Sequence, residues 1–300
     1  MKVSTAAMGL LAALPTAHSW GSLGHITTAM VATNFVQPET ASYFKVLLRN
    51  DTEHYLAGVA TWADSIRYTK WGRFTAAFHF IDAHDSPPTY CGVEFDRDCK
   101  ENGCVVSALQ NYTSQLLDGE LVAWRRMQAA KFVIHFLGDI HQPLHTEDVA
   151  KGGNGIHVLW NGNEVNLHHV WDSSIAEQML GGIGRKPYPA ALEWSANLTA
   201  EIQTGGKYAA QRESWTKGMM LDDPIQTSMG WATESNSFVC SAVLPEGPSA
   251  IVGQELALGE YFQRAAEVTE LQVARGGYRL AKWLDLIAER INAQASADEL

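Results

Sequence analysis

The stretch KFVIHFLGDIHQPLH, residues 131–145, constrains the fold more than any other part of the chain. Phe132, Val133, Phe136, Leu137 and Ile140 leave a helix here almost no solvent face, so the segment must be buried. His135 and Asp139 sit four residues apart within it and project from one face, a turn apart. Gln142-Pro143 ends the helix, because proline lacks an N–H donor and clashes with the preceding turn, and His145 follows the break. A buried imidazole and a buried carboxylate both need partners. On this stretch alone, a hydrogen-bonded His–Asp pair in a helical core and a metal site explain the residues equally well.

The rest of the chain repeats the pattern. Helices are expected over 20–36, 39–48, 55–67, 105–117, 120–140, 168–180, 189–204, 224–242 and 259–292. A small β-hairpin is expected from 156–160 and 164–167 around Asn161-Gly162. The segment 82–104 reads as a long loop. With no repeat, linker or composition break, the expectation is one mainly α domain over 20–300. His168 and Asp172 reproduce the four-residue spacing of His135 and Asp139, and His25, Asp64, His79 and His145 add ligand-type side chains in apolar surroundings. Imidazole and carboxylate without thiolate suit zinc with a coordination position left open for water. The HExxH signature of metalloproteases is absent.

The first nineteen residues are set apart. Lys2, an apolar run over 6–13 and the small-residue site Ala17-His18-Ser19 describe a secretory signal peptide cleaved before Trp20. No later apolar run is long enough to span a membrane. An extracellular destination permits disulfides, and Cys91, Cys99, Cys104 and Cys240 allow three pairings; joining Cys99 to Cys104 within their short loop leaves Cys91 for Cys240. It also gives meaning to glycan sequons at Asn50, Asn111 and Asn197. The formal charge of −11 supplies no general basic surface for holding a polyanion. A phosphate-ester substrate would need positive charge from metal ions.

Ordered motifs then make the chain look familiar. They are WGxLGH at Trp20, WADxxR at Trp62, HFIDAxDxPP at His79, GDxxQPLH at Gly138, GGN at Gly152, NLHHVWD at Asn166 and GYRLAxWL at Gly277. Together they resemble the zinc-dependent single-strand-specific nucleases and 3′-nucleotidases of fungi and plants. The resemblance implies a mainly α fold of the phospholipase C and single-strand nuclease type, holding three zinc ions. It implies that Asp64, His79, His135 and Asp139 hold the first ion, and that His145, His168 and Asp172 hold the second. The third would lie on His25 and on the amino group and carbonyl of Trp20, with Asp139 bridging to the first.

The same resemblance gives Arg67 the role of steadying the phosphate, and makes Asp64 and Asp139 part of the catalytic machinery. It makes Phe80, Asp82 and Asn154 a base-binding pocket. The implied activity is hydrolysis of single-stranded DNA and RNA to 5′-phosphate products, together with release of phosphate from 3′-nucleotides, by a monomeric secreted enzyme that engages no membrane. Two other readings remain: a phospholipase C-type phosphodiesterase built on a similar cluster, and a secreted zinc-binding protein without turnover.

Overall fold

The computed structural model describes residues 20–184 and 186–298. The expected signal peptide, 1–19, lies outside the described residues. In order come α1 (Ser22–Thr33), α2 (Pro38–Leu48), α3 (Trp62–Ile66), a 3-10 helix (Arg73–His79), α4 (Phe95–Asp98), α5 (Val105–Leu117) and α6 (Ala123–Asp139). A short 3-10 turn (Pro143–Thr146) leads to the hairpin β1 (His157–Trp160) and β2 (Asn163–Asn166). Then follow α7 (Leu167–His169), a π-helical turn (Val170–Ser174), α8 (Ile175–Met179), α9 (Tyr188–Ile202), α10 (Arg212–Trp215) and α11 (Pro224–Phe238). A second π-helical turn (Val239–Val243), α12 (Pro248–Ile251) and α13 (Gly259–Asp298) complete the chain. The expected mainly α architecture with one small hairpin is what the chain adopts.

α1 is buried on every side from Leu23 to Ala32, which is why its sequence shows no polar stripe. It packs against α13, α9 and α6. The approach to α13 is close because Gly277 has no side chain: a Cβ there would stand 2.6 Å from Val31 Cβ. α5 and α6 pack side by side, with Tyr112 stacked on Phe132 at 4.3 Å and Trp283 Nε1–H donating to Thr113 Oγ1 at 3.1 Å. A second apolar cluster lies under the hairpin, around Val158, Trp171, Ile175, Val239 and Val243.

The hairpin register pairs His157 with Asn166 and Trp160 with Asn163. Asn161 and Gly162 at its tip have φ of 52° and 75°, the left-handed pair that a two-residue turn of this twist requires. Glu255 locks the tip by accepting both backbone N–H groups, at 3.1 and 2.8 Å.

Four expectations need correction. The helix expected over 55–67 is α only at Trp62–Ile66; before it the chain makes tight turns with i→i+3 bonds. A tertiary contact accompanies the change: the Ala60 carbonyl accepts from His135 Nδ1 at 2.6 Å. The helices expected over 168–180 and 224–242 are each interrupted by a π-helical turn, at Val170–Ser174 and Val239–Val243. The long loop contains α4, held by Asp98, which accepts from the backbone N–H of Glu94 and His84.

Cys91 pairs with Cys240, and Cys99 with Cys104. The first bridge spans 149 residues and the second 5. Chain entropy then stabilises by about 5 kcal/mol for the long bridge and about 2 kcal/mol for the short one. Replacing both Cys91 and Cys240 by Ser is expected to lower Tm by on the order of 10 °C, well beyond the shift for the Cys99/Cys104 pair; thermal melts monitored by circular dichroism check the order.

Candidate metal centre

Eight of the nine predicted ligands come from seven elements of the chain and converge. His25 stands on α1, Asp64 on α3, His79 at the end of the first 3-10 helix, His135 and Asp139 on α6, and His145 on the turn after Pro143. His168 on α7 and Asp172 on the first π-helical turn complete the set. All eight are buried. The two oxygens of Asp139 face different ways: Oδ1 lies 3.1 Å from His25 Nε2, and Oδ2 lies 2.9 Å from His79 Nδ1 and 3.2 Å from His135 Nε2. Asp64 Oδ1 stands 3.6 Å from His135 Nε2 and 3.9 Å from His79 Nδ1. Asp172 faces His168 Nε2 at 3.2 Å and His145 Nε2 at 3.6 Å.

These separations are those of ligand atoms around a shared ion. Two nitrogen or oxygen ligands on tetrahedral zinc lie about 3.3 Å apart. Four buried atoms here, Asp139 Oδ1, His79 Nε2, His145 Nε2 and Asp172 Oδ2, make no well-aligned hydrogen bond among the described residues. Three carboxylates held so close, out of water, need positive charge to balance them, and five imidazoles offer further donor atoms around it. The residues therefore fit a metal centre. A further group, Asp85, Cys91 and Glu147, does not, because Cys91 is bonded to Cys240 and offers no thiolate.

The rings are aimed by their far nitrogens. His135 Nδ1 donates to the Ala60 carbonyl at 2.6 Å, His145 Nδ1 to His79 at 2.8 Å, and His168 Nδ1 to Gly152 at 2.6 Å. Each bond fixes the tautomer and turns Nε2 inward. Gly138 permits the packing of α6 on His25, since a Cβ there would lie 2.8 Å from His25 Nδ1. Burial lowers the pKa values of His25 and His168, and takes His79 down to about 4. Burial lowers His135 as well, but the charges of Asp139 and Asp64 outweigh it and raise it to about 9. Trp20 is fully buried beside the centre, and the Gly21 N–H donates to the Asp172 carbonyl at 2.7 Å.

A cleft of about 360 Å³ opens over His79, His145 and His168. Arg67, Phe80, Asp82 and Asn154 all line it, so the structure gathers the whole predicted substrate set. Arg67 Nη2 sits 3.5 Å from Asp64 Oδ1, while the Phe80 ring is open to solvent. Asn154 Nδ2 donates to the Lys151 carbonyl at 2.8 Å. Burial and the Asp148 charge push the Asp82 carboxyl up to about 6.

The remaining histidines do other work. His84 donates to the Asp82 carbonyl at 2.7 Å and approaches Asp98 and Asp148. His141 is buried away from the cluster, bonded to the Leu137 carbonyl and beside Arg279. His157 pairs with Glu164 on the hairpin surface, and His54 lies edge-on to Tyr188. Sequence reasoning missed Gln142, read only as a helix stop. Its amide donates to Asp172 Oδ1 at 2.6 Å and so orients that carboxylate. The signal was its place beside His145 in the GDxxQPLH motif. Lys151, Glu147 and Asp148, also in the cleft wall, carried no such signal.

Imidazoles and carboxylates converging beneath an open cleft in a helical domain define a candidate metal-binding centre. The S1/P1 nuclease family model matches residues 20–289, and the chain belongs to the S1/P1 nuclease family. It is 46% identical over 273 residues to Nuclease S1 of Aspergillus oryzae, covering 91% of this chain and 93% of that protein. It is 41% identical over 268 residues to Nuclease P1 of Penicillium citrinum, covering 89% and 97%. Endonuclease 4 of Arabidopsis thaliana is 32% identical over 286 residues, with 89% of each chain covered.

Proposed function

We propose that the protein is a secreted zinc-dependent nuclease that cuts single-stranded DNA and RNA to 5′-phosphate products and removes phosphate from 3′-nucleotides. The observation that carries the reading is Asp139, whose two oxygens face separate ligand groups in a cluster of eight buried imidazoles and carboxylates. Asp64, His79, His135 and Asp139 would hold one zinc ion, His145, His168 and Asp172 a second, and His25 with the amino and carbonyl groups of Trp20 a third. When bound, zinc supplies a water nucleophile near neutral pH and stabilises charge on phosphate oxygens.

The chain's own residues do the rest. Arg67, at the cleft wall beside Asp64, meets the phosphate with fixed positive charge. Phe80 offers a face to a nucleobase, and Asp82 and Asn154 offer hydrogen-bonding groups to its edge. Both contacts require an unpaired base, which favours single strands. A single stacking ring with polar neighbours suits a base better than the aromatic cage that a quaternary ammonium headgroup uses. Secretion is supported by the leader-like sequence of 1–19 and by a family match that starts at Trp20. Among the described residues no helix is long and apolar enough to cross a membrane. Of the proposed glycan sites, Asn111 and Asn197 are exposed and Asn50 is half-buried.

The test is a metal-counted assay of the secreted protein on single-stranded and duplex DNA, with and without chelator. Three zinc ions per chain and chelator-sensitive release of 5′-nucleotides from single strands are expected. Activity on phosphatidylcholine alone would overturn the reading. The Asp82 carboxyl also predicts a pH effect. With its pKa at about 6 it is neutral below that pH and ionised above it, when it accepts from base N–H groups only. Binding of guanosine 5′-monophosphate should strengthen as pH rises through about 6, and Asp82→Asn should flatten that rise relative to wild type. Calorimetric titration between acid and neutral pH decides it.

A further inference from the structure

The segment RYTKWGRF, residues 67–74, alternates cations and aromatics every three residues: Arg67, Lys70 and Arg73 against Tyr68, Trp71 and Phe74. It contains no acidic residue, in a chain whose net charge is −11. The three rings face solvent, at 57%, 82% and 63% exposure. Exposed aromatics this dense cost hydration without contributing to the core, and they mark an interaction surface.

The segment is also fixed in place. Thr69 and Thr75 N–H groups bond to the Ile66 and Gly72 carbonyls, both at 2.9 Å, and the Thr75 hydroxyl donates to Gly72 at 2.8 Å. Gly72 is buried so tightly on α3 that a Cβ there would lie 2.3 Å from the Ile66 carbonyl oxygen. Lys70 Nζ stands 5.8 Å from the centre of the Trp71 ring, so a stacking face and a phosphate-binding charge travel together. One end of the segment, Arg67, is in the cleft wall; the other runs into the 3-10 helix that ends at His79. Along that helix Phe74 lies about 10 Å from His79, at about 2.0 Å per residue.

We propose that Trp71 and Phe74, with Lys70 and Arg73, form a second subsite that binds the single-stranded substrate about two or three stacked nucleotides from the reacting phosphate, at about 3.4 Å per base. The proposal rests on the nuclease reading and adds to it: the enzyme gains affinity from strand length as well as from the nucleotide it cuts. Because the rings are pre-positioned and every base has a π face, the gain is independent of sequence.

The test compares wild type with Trp71→Ala, Phe74→Ala and the Lys70→Gln/Arg73→Gln pair on a 3′-mononucleotide and on single-stranded DNA and RNA oligonucleotides of increasing length. These side chains are exposed, so the variants fold. Wild-type KM should fall with length. Each aromatic variant should lose that gain, with KM for a dodecamer rising on the order of 10-fold while mononucleotide hydrolysis is unchanged. The charge variant should reduce the salt slope of binding by about 0.7 per charge removed. A dodecamer KM equal to wild type in both aromatic variants would overturn the subsite. Fluorescence anisotropy with a non-cleavable phosphorothioate dodecamer separates the two readings. Wild-type binding that weakens in Trp71→Ala, without any hydrolysis, keeps the subsite and removes the nuclease reading. Hydrolysis with binding unchanged in the variants does the reverse.

Discussion

Replacing Asp139 by Asn is expected to leave the helical spectrum unchanged and to lower kcat by on the order of 10³-fold or more, beyond the 10–100-fold that outer partners of a metal contribute. Asp139 is fully buried, and its oxygens lie 3.1 Å from His25, 2.9 Å from His79 and 3.2 Å from His135. The amide is neutral, and one of its two faces becomes an N–H₂ donor that turns away from a cation. Both ligand groups it joins therefore weaken together. Metal content measured on the purified variant should fall along with rate. Unchanged turnover would refute the joining role.

The second large effect concerns the proposed mature amino terminus at Trp20. A protein carrying extra residues before Trp20 should lose one zinc ion and most of its activity, and proteolytic removal of the extension should restore both. An α-amino group is a ligand, whereas the same nitrogen in a peptide bond is not. The surroundings leave little room for compromise. Trp20 is fully buried, the Gly21 N–H is tied to the Asp172 carbonyl at 2.7 Å, and a Cβ on Gly21 would lie 2.3 Å from Ser173 Oγ. Full zinc content and full activity in the extended protein would sink the assignment of Trp20.

The parts of this molecule legible in its sequence are those governed by local period. His135 and Asp139, and again His168 and Asp172, announce themselves by four-residue spacing in apolar runs. The hairpin follows from Asn161-Gly162. What stayed hidden depends on distant partners. Nothing in YLAGVATWADSIR says that the Ala60 carbonyl will be taken by a histidine 75 residues away, yet that bond accompanies the loss of helix before Trp62. The π-helical turn at Val239–Val243 surrounds Cys240, whose partner Cys91 lies 149 residues earlier. Gln142 looked like punctuation because its target, Asp172, is 30 residues ahead. Segment 67–74 shows its alternation in the sequence, but only the fold reveals that the rings point outward beside the cleft.

The pairing of α1 with α13 fixes a schedule for synthesis. α1 carries His25, is buried on every side, and leaves the ribosome ahead of the other described helices; α13, against which it packs, begins at Gly259 and leaves last. Until that final helix arrives, the face of α1 that it covers stays open to wrong partners. The packing of Gly277 against Val31 thus forms only once α13 has been made. Completion of the core then falls late, in the compartment where the finished chain finds itself.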